Sequence, residues 1–143
     1  MHGAQALGAA PIVTGKAVKN PDTVATAIRI GNPASWEKAV QARDESHGSI
    51  QAVTDNEILS AHRLIARKEG LVVEPASAAG VALLLKLASA HALRPDEVIV
   101  CVLTGHGLKD AKTLTRGLRL PPPVRPTPVS LRRTLAKAQV PVD

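Results

Sequence analysis

A threonine at the end of an apolar run is the residue of this sequence best placed to do chemistry. The run from Val98 to Leu103 predicts a buried strand, and Thr104 follows it at the start of a glycine-rich turn. In open parallel α/β sheets, ligands bind at the carboxyl ends of the strands. Gly105 and Gly107 allow a ligand to approach the backbone closely. The local chemistry fits equally a Thr104 hydroxyl that faces a ligand and a threonine that caps a following helix.

Other reactive side chains give weaker patterns. Lys109 could form an imine, but it stands beside Asp110, where an ordinary charged pair is the simpler interpretation. His106, alone in its turn, is expected to be structural. The histidines and the single cysteine show no metal-ligand spacing, and there is no GxSxG motif. Neither a metal centre nor a serine hydrolase is therefore predicted.

The elements that would position these residues alternate between strands and helices. The segment 49–53 predicts a strand, and Thr54 with Glu57 forms a capping box that starts a helix ending at Gly70. A brief strand at 71–75, an Ala-rich helix at 76–92 and the strand at 98–103 follow. The Ala-rich helix carries one charge over most of its length, so nearly every side of it is expected to be buried.

Continuously apolar strands are typical of a parallel sheet that is covered on both faces. We therefore predict an α/β fold, a three-layer parallel sheet with helices on both faces. Upstream, Asn20–Pro21 and Asn32–Pro33 each resemble a helix start. They predict a short helix from Pro21 to about Ala27 and a second one that contains Trp36.

Composition limits the possible partners. The 143 residues fit one domain, and they include one Trp but no Phe or Tyr. Base stacking is therefore not expected, and no nucleic-acid partner is predicted. The net charge of +6 comes from the end of the chain, because the part up to Asp110 has 11 basic and 11 acidic residues. Residues 121–143 are expected to form a Pro-rich, basic, solvated tail with a weak amphipathic piece at 131–138.

The single cysteine and the lengths of the apolar segments indicate where the protein works. Cys101 has no second cysteine to pair with, which fits a reduced, cytoplasmic setting. It is expected to act as a small buried hydrophobe. The N-terminus shows no signal-peptide pattern. The longest apolar segment, 75–85, is far shorter than the ~20 residues needed to span a bilayer, so no membrane association is predicted.

Three segments carry a resemblance to a known family. They are ATAIRIGNPASW at 25–36, EPASAAGVA at 74–82 and LTGHGLKD at 103–110. Together they strongly resemble threonine synthase, a lyase of the fold type II group that depends on pyridoxal 5'-phosphate (PLP). The similarity runs from Met1 to about Pro123. It implies that residues 1–120 form the C-terminal part of the PLP-binding large domain.

The resemblance also implies an activity and a set of cofactor contacts. The family converts O-phospho-L-homoserine and water to L-threonine and phosphate. In it, a Ser or Thr hydroxyl meets the pyridine nitrogen of PLP, a role that falls on Thr104, with Gly105 beside it. Ala27 and Ile28 match the backbone that borders the ring, and Glu74 matches a turn near the ring substituents. For Glu74, capping the helix that begins at Pro75 is an equally good interpretation.

The lysine that forms a Schiff base with PLP, and the loop that cradles its phosphate, lie upstream of the matching segments in this family. No catalytic residue is therefore assigned within this sequence. The chain is expected to be less than half of an enzyme that acts as a homodimer, to need the missing N-terminal half, and to be inactive alone. A half-domain should also expose apolar surface, so poor solubility or self-association is expected.

Two alternatives stay open. The chain could belong to another fold type II enzyme, such as a threonine or serine dehydratase, which differs from threonine synthase around the upstream lysine. It could also be a non-catalytic binding module that remained after the catalytic half was lost. Such a module would be a monodisperse monomer that unfolds cooperatively.

Overall fold

The computed structural model describes residues 1–115 and 123–137, and its sheet is a single parallel pair of strands. Strand β1 spans His2–Ala6 and strand β2 spans Ser49–Val53. His2 lies opposite Ser49, and the pairing continues in register to Ala6 and Val53. The predicted strand at 49–53 and the α/β class with a parallel sheet are confirmed. The pattern did not predict β1, whose residues HGAQA have little intrinsic strand preference.

The connection between the two strands is mostly irregular. It contains 3-10 turns at Leu7–Ala9 and Thr26–Ile28, helix α1 at Pro11–Thr14 and helix α2 at Trp36–Glu45. The prediction of a helix from Pro21 to about Ala27 is wrong. Only the 3-10 turn forms there.

Side chains from outside that segment occupy the backbone groups that a helix would use. Asp55 accepts hydrogen bonds from the Val24 N–H at 3.0 Å and from the Thr23 hydroxyl at 2.5 Å. Arg29 donates to the Thr23 carbonyl oxygen through both Nε at 2.9 Å and Nη2 at 2.6 Å. Because that carbonyl is already engaged, the regular i to i−4 ladder does not form around it.

Helix α2 is present but begins later than predicted. Its first residue is Trp36, so Asn32 and Pro33 lie ahead of the helix instead of starting it. The Val18 N–H donates to the Gly31 carbonyl oxygen at 2.8 Å. This contact between distant segments holds the chain in a turn before the helix can begin.

Helix α3 spans Asp55–Glu69 and has the predicted capping box. The Glu57 N–H donates to Thr54 Oγ1 at 3.2 Å, and the Thr54 N–H donates back to Glu57 Oε2 at 2.6 Å. The helix ends at Gly70, whose φ of 67° is the left-handed conformation that favours glycine. Both predicted ends of this helix are confirmed.

Helix α4, at Pro75–Ser89, packs against both strands and against α3. Most of its residues up to Leu83 are buried, but beyond that point the helix becomes accessible: Leu85 and Lys86 are exposed. The prediction that nearly every side would be buried is therefore wrong. The core around α4 is built from small and branched side chains, namely Ala6, Ala25, Val53, Ile58, Ala61, Ile65, Val73, Ala78, Ala79, Ala82 and Leu83.

The run at 98–103 does not form the predicted strand. Val98, Val100 and Val102 are 91%, 83% and 75% exposed, and Cys101 is exposed as well. A strand needs the backbone groups of a neighbour, and within residues 1–115 and 123–137 no segment supplies them to this run. The expectation of a buried Cys101 fails for the same reason.

The predicted strand at 71–75 is reduced to a single antiparallel bridge between Val73 and His106. Leu71 and Val72 are about half exposed. His62 is half-buried, and its Nε2 lies 2.9 Å from the Val73 carbonyl oxygen. This short segment therefore joins helix α3 to the loop around His106.

The last elements are a 3-10 turn at Gly107–Asp110, helix α5 at Ala111–Thr115 and helix α6 at Pro128–Lys137. Helix α6 corresponds to the predicted amphipathic piece, whose last residue lies outside the described residues. The predicted boundary at 120–121 also lies outside them. Among residues 1–115 and 123–137, no helix is long and apolar enough to cross a membrane.

We expect Thr54→Ala to lower the free energy of unfolding by about 1 kcal/mol, because it removes the hydroxyl half of the capping box. Hydrogen bonds from the Thr54 N–H and hydroxyl hold the pKa of Glu57 below its usual range. The stability from the ionised Glu57 is present above its unfolded pKa of about 4.3 and is lost as pH falls through the lower folded pKa. The Thr54→Ala penalty should therefore shrink at low pH.

Urea unfolding at several pH values measures this penalty. Ser60→Ala is the matched control, because Ser60 is an exposed hydroxyl residue on the same helix. A penalty that stays the same from pH 7 to pH 3 would contradict the assigned role of Glu57.

We expect the purified chain to self-associate through its exposed run at 98–103. The double variant Val100→Lys/Val102→Lys should shift the sizing profile towards monomer, because both side chains are already exposed and can accept a charge. Val129→Lys changes a valine of similar exposure outside the run and should have no such effect. A sharp monomer peak for the unaltered chain would rule the idea out.

Candidate functional site

The loop after Leu103 is anchored to the start of helix α4 by backbone hydrogen bonds. The Glu74 N–H donates to the Gly105 carbonyl oxygen at 3.0 Å, and the Gly107 N–H donates to the Val72 carbonyl oxygen at 2.9 Å. The bridge between Val73 and His106 lies between these two bonds. Two segments that the sequence singled out, 74–82 and 103–110, are thus brought together.

Ser77 links the two segments through its side chain. Its Oγ accepts a hydrogen bond from the Gly105 N–H at 2.7 Å and lies 3.0 Å from Thr104 Oγ1. Ser77 Oγ also lies 3.2 Å from the Gly105 carbonyl oxygen. Ser77 is 2% exposed, whereas Thr104 is exposed. The cluster therefore presents one hydroxyl to the outside and keeps a second one buried behind it.

Glu74 holds a buried charge beside this cluster. The residue is 5% exposed, and its Oε1 lies 3.4 Å from Nζ of Lys109. Glu74 is the N-cap residue of α4 by position, but its side chain makes no capping hydrogen bond. Lys109 pairs with Glu74 and not with the neighbouring Asp110, so the expected charged pair exists with a different partner.

Gly105 has no room for a side chain. A Cβ there would overlap Oε1 of Glu74 and lie 2.5 Å from its Cδ. It would also lie 3.0 Å from Nζ of Lys109. Glycine is therefore required at this position so that the Glu74 carboxylate can reach its place beside the Thr104 loop.

The turn that contains Ala27 and Ile28 reaches the same loop through a neighbouring residue. Thr26 Oγ1 donates to Asp110 Oδ2 at 3.3 Å. Ala27 is exposed, and Ile28 packs against the core. The third segment singled out by the sequence, 25–36, is thus connected to the 103–110 loop through Thr26 and Asp110.

An open cleft of 640 Å³ lies between this turn and the start of α5. Asp55, Asp110 and Arg29 are among its lining side chains. The hydroxyl and N–H of Thr113 donate to Asp110 at 2.9 Å and 3.1 Å. Most of the polar groups in the cleft are therefore already engaged with one another.

Ser77 and Thr26 were missed by reasoning from the sequence. Ser77 stands inside the quoted EPAS segment, three residues after Glu74, where a helix begins. That position could have drawn attention to its hydroxyl. The partner that makes it significant, Thr104, is 27 residues away, and no local pattern reveals the contact.

His106 has the structural role that was expected. Its Nδ1 accepts a hydrogen bond from the Leu108 N–H at 3.1 Å, within its own turn. Over residues 1–115 and 123–137, no three His, Cys, Asp or Glu side chains cluster as metal ligands would.

The chain belongs to the pyridoxal-phosphate dependent enzyme family, which it matches over residues 1–105. Among curated proteins, it is 51% identical over 129 residues to threonine synthase of Mycobacterium leprae, covering 90% of this chain and 35% of that protein. It is 50% identical to threonine synthase of Methanocaldococcus jannaschii over 85% of this chain and 32% of that protein. The chain thus spans about a third of the length of these relatives.

A comparison of structures shows the same fold. The crystal structure of a fungal L-serine ammonia-lyase from Rhizomucor miehei superimposes with a TM-score of 0.58 at 20% identity. The match covers 82% of this chain and 41% of that one. At this level of identity the similarity is evidence for the fold alone.

The donor set around Thr104 fits a pyridine nitrogen. An exposed hydroxyl, with a buried hydroxyl behind it, can hydrogen-bond a ring nitrogen whichever of the two carries the proton. The nearby carboxylate of Glu74 is turned towards Lys109. The described residues therefore fit a neutral contact to the ring.

We expect Gly105→Ala to lower the free energy of unfolding by about 1–3 kcal/mol, because the new methyl group must displace the buried Glu74 carboxylate. Gly80→Ala is the matched control. A Cβ at Gly80 meets nothing within 4 Å, and the site is exposed on helix α4. There alanine should stabilise the chain by about 0.5–1 kcal/mol through helix propensity. Urea unfolding of both variants provides the test, and a neutral Gly105→Ala would refute the tight packing.

Proposed function

We propose that the chain is the C-terminal portion of a threonine synthase, which converts O-phospho-L-homoserine and water to L-threonine and phosphate with PLP. The observation that carries this proposal is the identity of about half of all residues to threonine synthases over 90% of the chain. The clustering of Thr104, Gly105, Ser77 and Glu74 supports it, because these residues lie in two of the segments that resemble the family.

In this proposal Thr104 holds the pyridine nitrogen of the cofactor. PLP, when bound, supplies an electron-poor ring that stabilises negative charge on a neighbouring substrate carbon. The Thr104 hydroxyl hydrogen-bonds the nitrogen without carrying a charge of its own. A carboxylate in that place would favour a fully protonated ring, and the hydroxyl avoids this. The contact suits a reaction that eliminates phosphate and then adds water.

Glu74 and Lys109 keep the charge beside Thr104 balanced. The carboxylate is buried, and an unpaired buried charge is costly. Lys109 compensates it at 3.4 Å, with its own side chain 60% exposed. Glu74 thereby supports the loop that carries Thr104 and Gly105. Ala27 and Ile28 are proposed to border the ring through their backbone, from the turn that Thr26 ties to Asp110.

The remaining parts of the site are assigned to polypeptide that this sequence does not contain. We propose that residues 1–120 are the C-terminal part of the cofactor domain and that residues 121–143 are a solvated basic tail. The cofactor-binding lysine, the phosphate loop and most substrate-phosphate contacts would come from the preceding two thirds. The complete enzyme would be a cytoplasmic homodimer.

The exposed run at 98–103 supports this division. Val98, Val100 and Val102 are each at least 75% exposed, although their apolar character suits a buried strand. We propose that strands from the preceding part pair with this run and complete a parallel sheet with helices on both faces, which is a three-layer fold. Thr104 would then lie at the carboxyl end of a central strand.

A threonine or serine dehydratase is the alternative within the same fold. The structural similarity to a serine ammonia-lyase is compatible with it, but at 20% identity it reflects only the fold. The sequence identity to threonine synthases is 50–51% over most of the chain. We therefore place the dehydratase second.

The proposal is tested by completing the enzyme. The part of M. leprae threonine synthase that precedes the matched region is supplied to the chain, either as a separate polypeptide or fused ahead of Met1. We expect this completed enzyme to bind PLP, to release phosphate from O-phospho-L-homoserine and to form threonine. The chain alone should do none of these.

Thr104→Ala should reduce threonine formation by the completed enzyme at least about 10-fold, the cost of one hydrogen bond to a charged or polarised group. Thr115→Ala is the control, because Thr115 is exposed and, within residues 1–115 and 123–137, its hydroxyl bonds only to carbonyl oxygens of its own helix. Release of 2-oxo acid from serine or threonine in place of threonine synthesis would favour the dehydratase. Borohydride trapping of PLP on the chain alone would refute the assignment.

A further inference from the structure

The buried hydroxyl of Ser77 links two segments, but it has so far been given no role towards the cofactor. It is 2% exposed, and it lies within hydrogen-bond distance of three groups on the Thr104 loop. A serine that only caps its own helix would bond to that helix. Ser77 instead directs its side chain at a loop 27 residues away.

The proton on Ser77 has two possible acceptors. Its Oγ has one hydrogen and two lone pairs, and one lone pair takes the Gly105 N–H at 2.7 Å. The hydrogen can go to Thr104 Oγ1 at 3.0 Å or to the Gly105 carbonyl oxygen at 3.2 Å. That carbonyl already accepts from the Glu74 N–H at 3.0 Å. The shorter distance and the less satisfied acceptor both favour Thr104.

This direction determines what Thr104 offers to a ligand. If Ser77 donates to Thr104 Oγ1, the Thr104 hydrogen is free to point outward. Thr104 then acts as a donor towards a ring nitrogen that keeps its lone pair. If Thr104 instead donated its hydrogen to Ser77, its oxygen would present lone pairs to the ligand and would favour a protonated ring nitrogen.

We propose that Ser77 is a positioning residue that orients Thr104 as a hydrogen-bond donor and thereby keeps the cofactor ring nitrogen unprotonated. The inference rests on the proposed function, because it takes a pyridine ring as the ligand of Thr104. It goes further, because it makes Ser77, which acts only through Thr104, responsible for the protonation state of the ring nitrogen. The Gly105 N–H holds the Ser77 oxygen in place. The Ser77 hydroxyl in turn determines the direction of the Thr104 hydroxyl.

The test uses the completed enzyme defined above, and it measures PLP affinity and the state of the ring nitrogen. Ser77→Ala should weaken PLP binding about 3- to 10-fold, the effect of losing one hydrogen bond of ordinary strength. With PLP labelled with nitrogen-15 in the ring, the nitrogen chemical shift should move towards the protonated form. The pH midpoint of that change should rise by roughly half a unit to one unit.

A double-mutant cycle with Thr104→Val separates positioning from simple structural support. Once the Thr104 hydroxyl is gone, adding Ser77→Ala should weaken PLP binding by less than about twofold. Ser89→Ala is the matched control, because Ser89 is an exposed serine on the same helix whose Oγ, among the residues that the structure describes, bonds only to the Leu85 carbonyl oxygen. It should leave the affinity and the nitrogen signal unchanged.

Two results would overturn the proposal. One is an unchanged nitrogen signal in Ser77→Ala. The other is an equal loss of affinity with and without the Thr104 hydroxyl, which would make Ser77 purely structural. If Ser77→Ala does not fold, Ser77→Cys replaces it, because the thiol is similar in size but a much weaker hydrogen-bonding group. If the unaltered completed enzyme fails to bind PLP, the proposed function fails instead.

Discussion

The contact between the start of helix α4 and the loop after Leu103 is the constraint on which the site depends. The run at 98–103 is not held in a sheet, so the position of Thr104 is set from the other side. Two backbone hydrogen bonds with residues 72–74, which form the Val73–His106 bridge, and the Ser77 side chain fix the loop. A loop held by hydrogen bonds to a buried helix start keeps its shape even though the run that leads into it pairs with no other described segment.

The helix that provides this anchor is itself held by a core of small residues. Helix α4 contributes Ala78, Ala79 and Ala82 to this core, and helix α3 contributes Ala61. Small side chains allow helix backbones to approach one another closely, which compensates for a core that has no Phe or Tyr. The same close approach leaves little space for substitution. Because α4 also contacts both strands, the sheet, helix α3 and the Thr104 loop share a single packed element.

Reasoning from the sequence succeeded where the determining interactions are local. The capping box of Thr54 and Glu57 and the stop at Gly70 lie within a few residues of the elements that they define. It failed at 21–27, because Asp55 and Arg29 reach that segment from elsewhere, and at 98–103, because a strand needs a neighbour. The same distinction applies to the site. Thr104 and Gly105 stand in a local motif that draws attention to them, and their role stays a prediction. The contacts of Ser77 with Thr104 and of Glu74 with Lys109 span 27 and 35 residues, so only the fold reveals them.

The pairing of β1 with β2 has a consequence for the order in which the chain acquires its structure. His2 faces Ser49, so the two strands can meet only after a loop of more than forty residues has closed. Loop closure of this length is entropically unfavourable, and parallel pairing between distant segments forms slowly. Helices α3 and α4 are neighbours in sequence and can associate much sooner. We therefore expect these two helices to assemble first during synthesis, leaving the N-terminal strand to join as one of the last steps of folding.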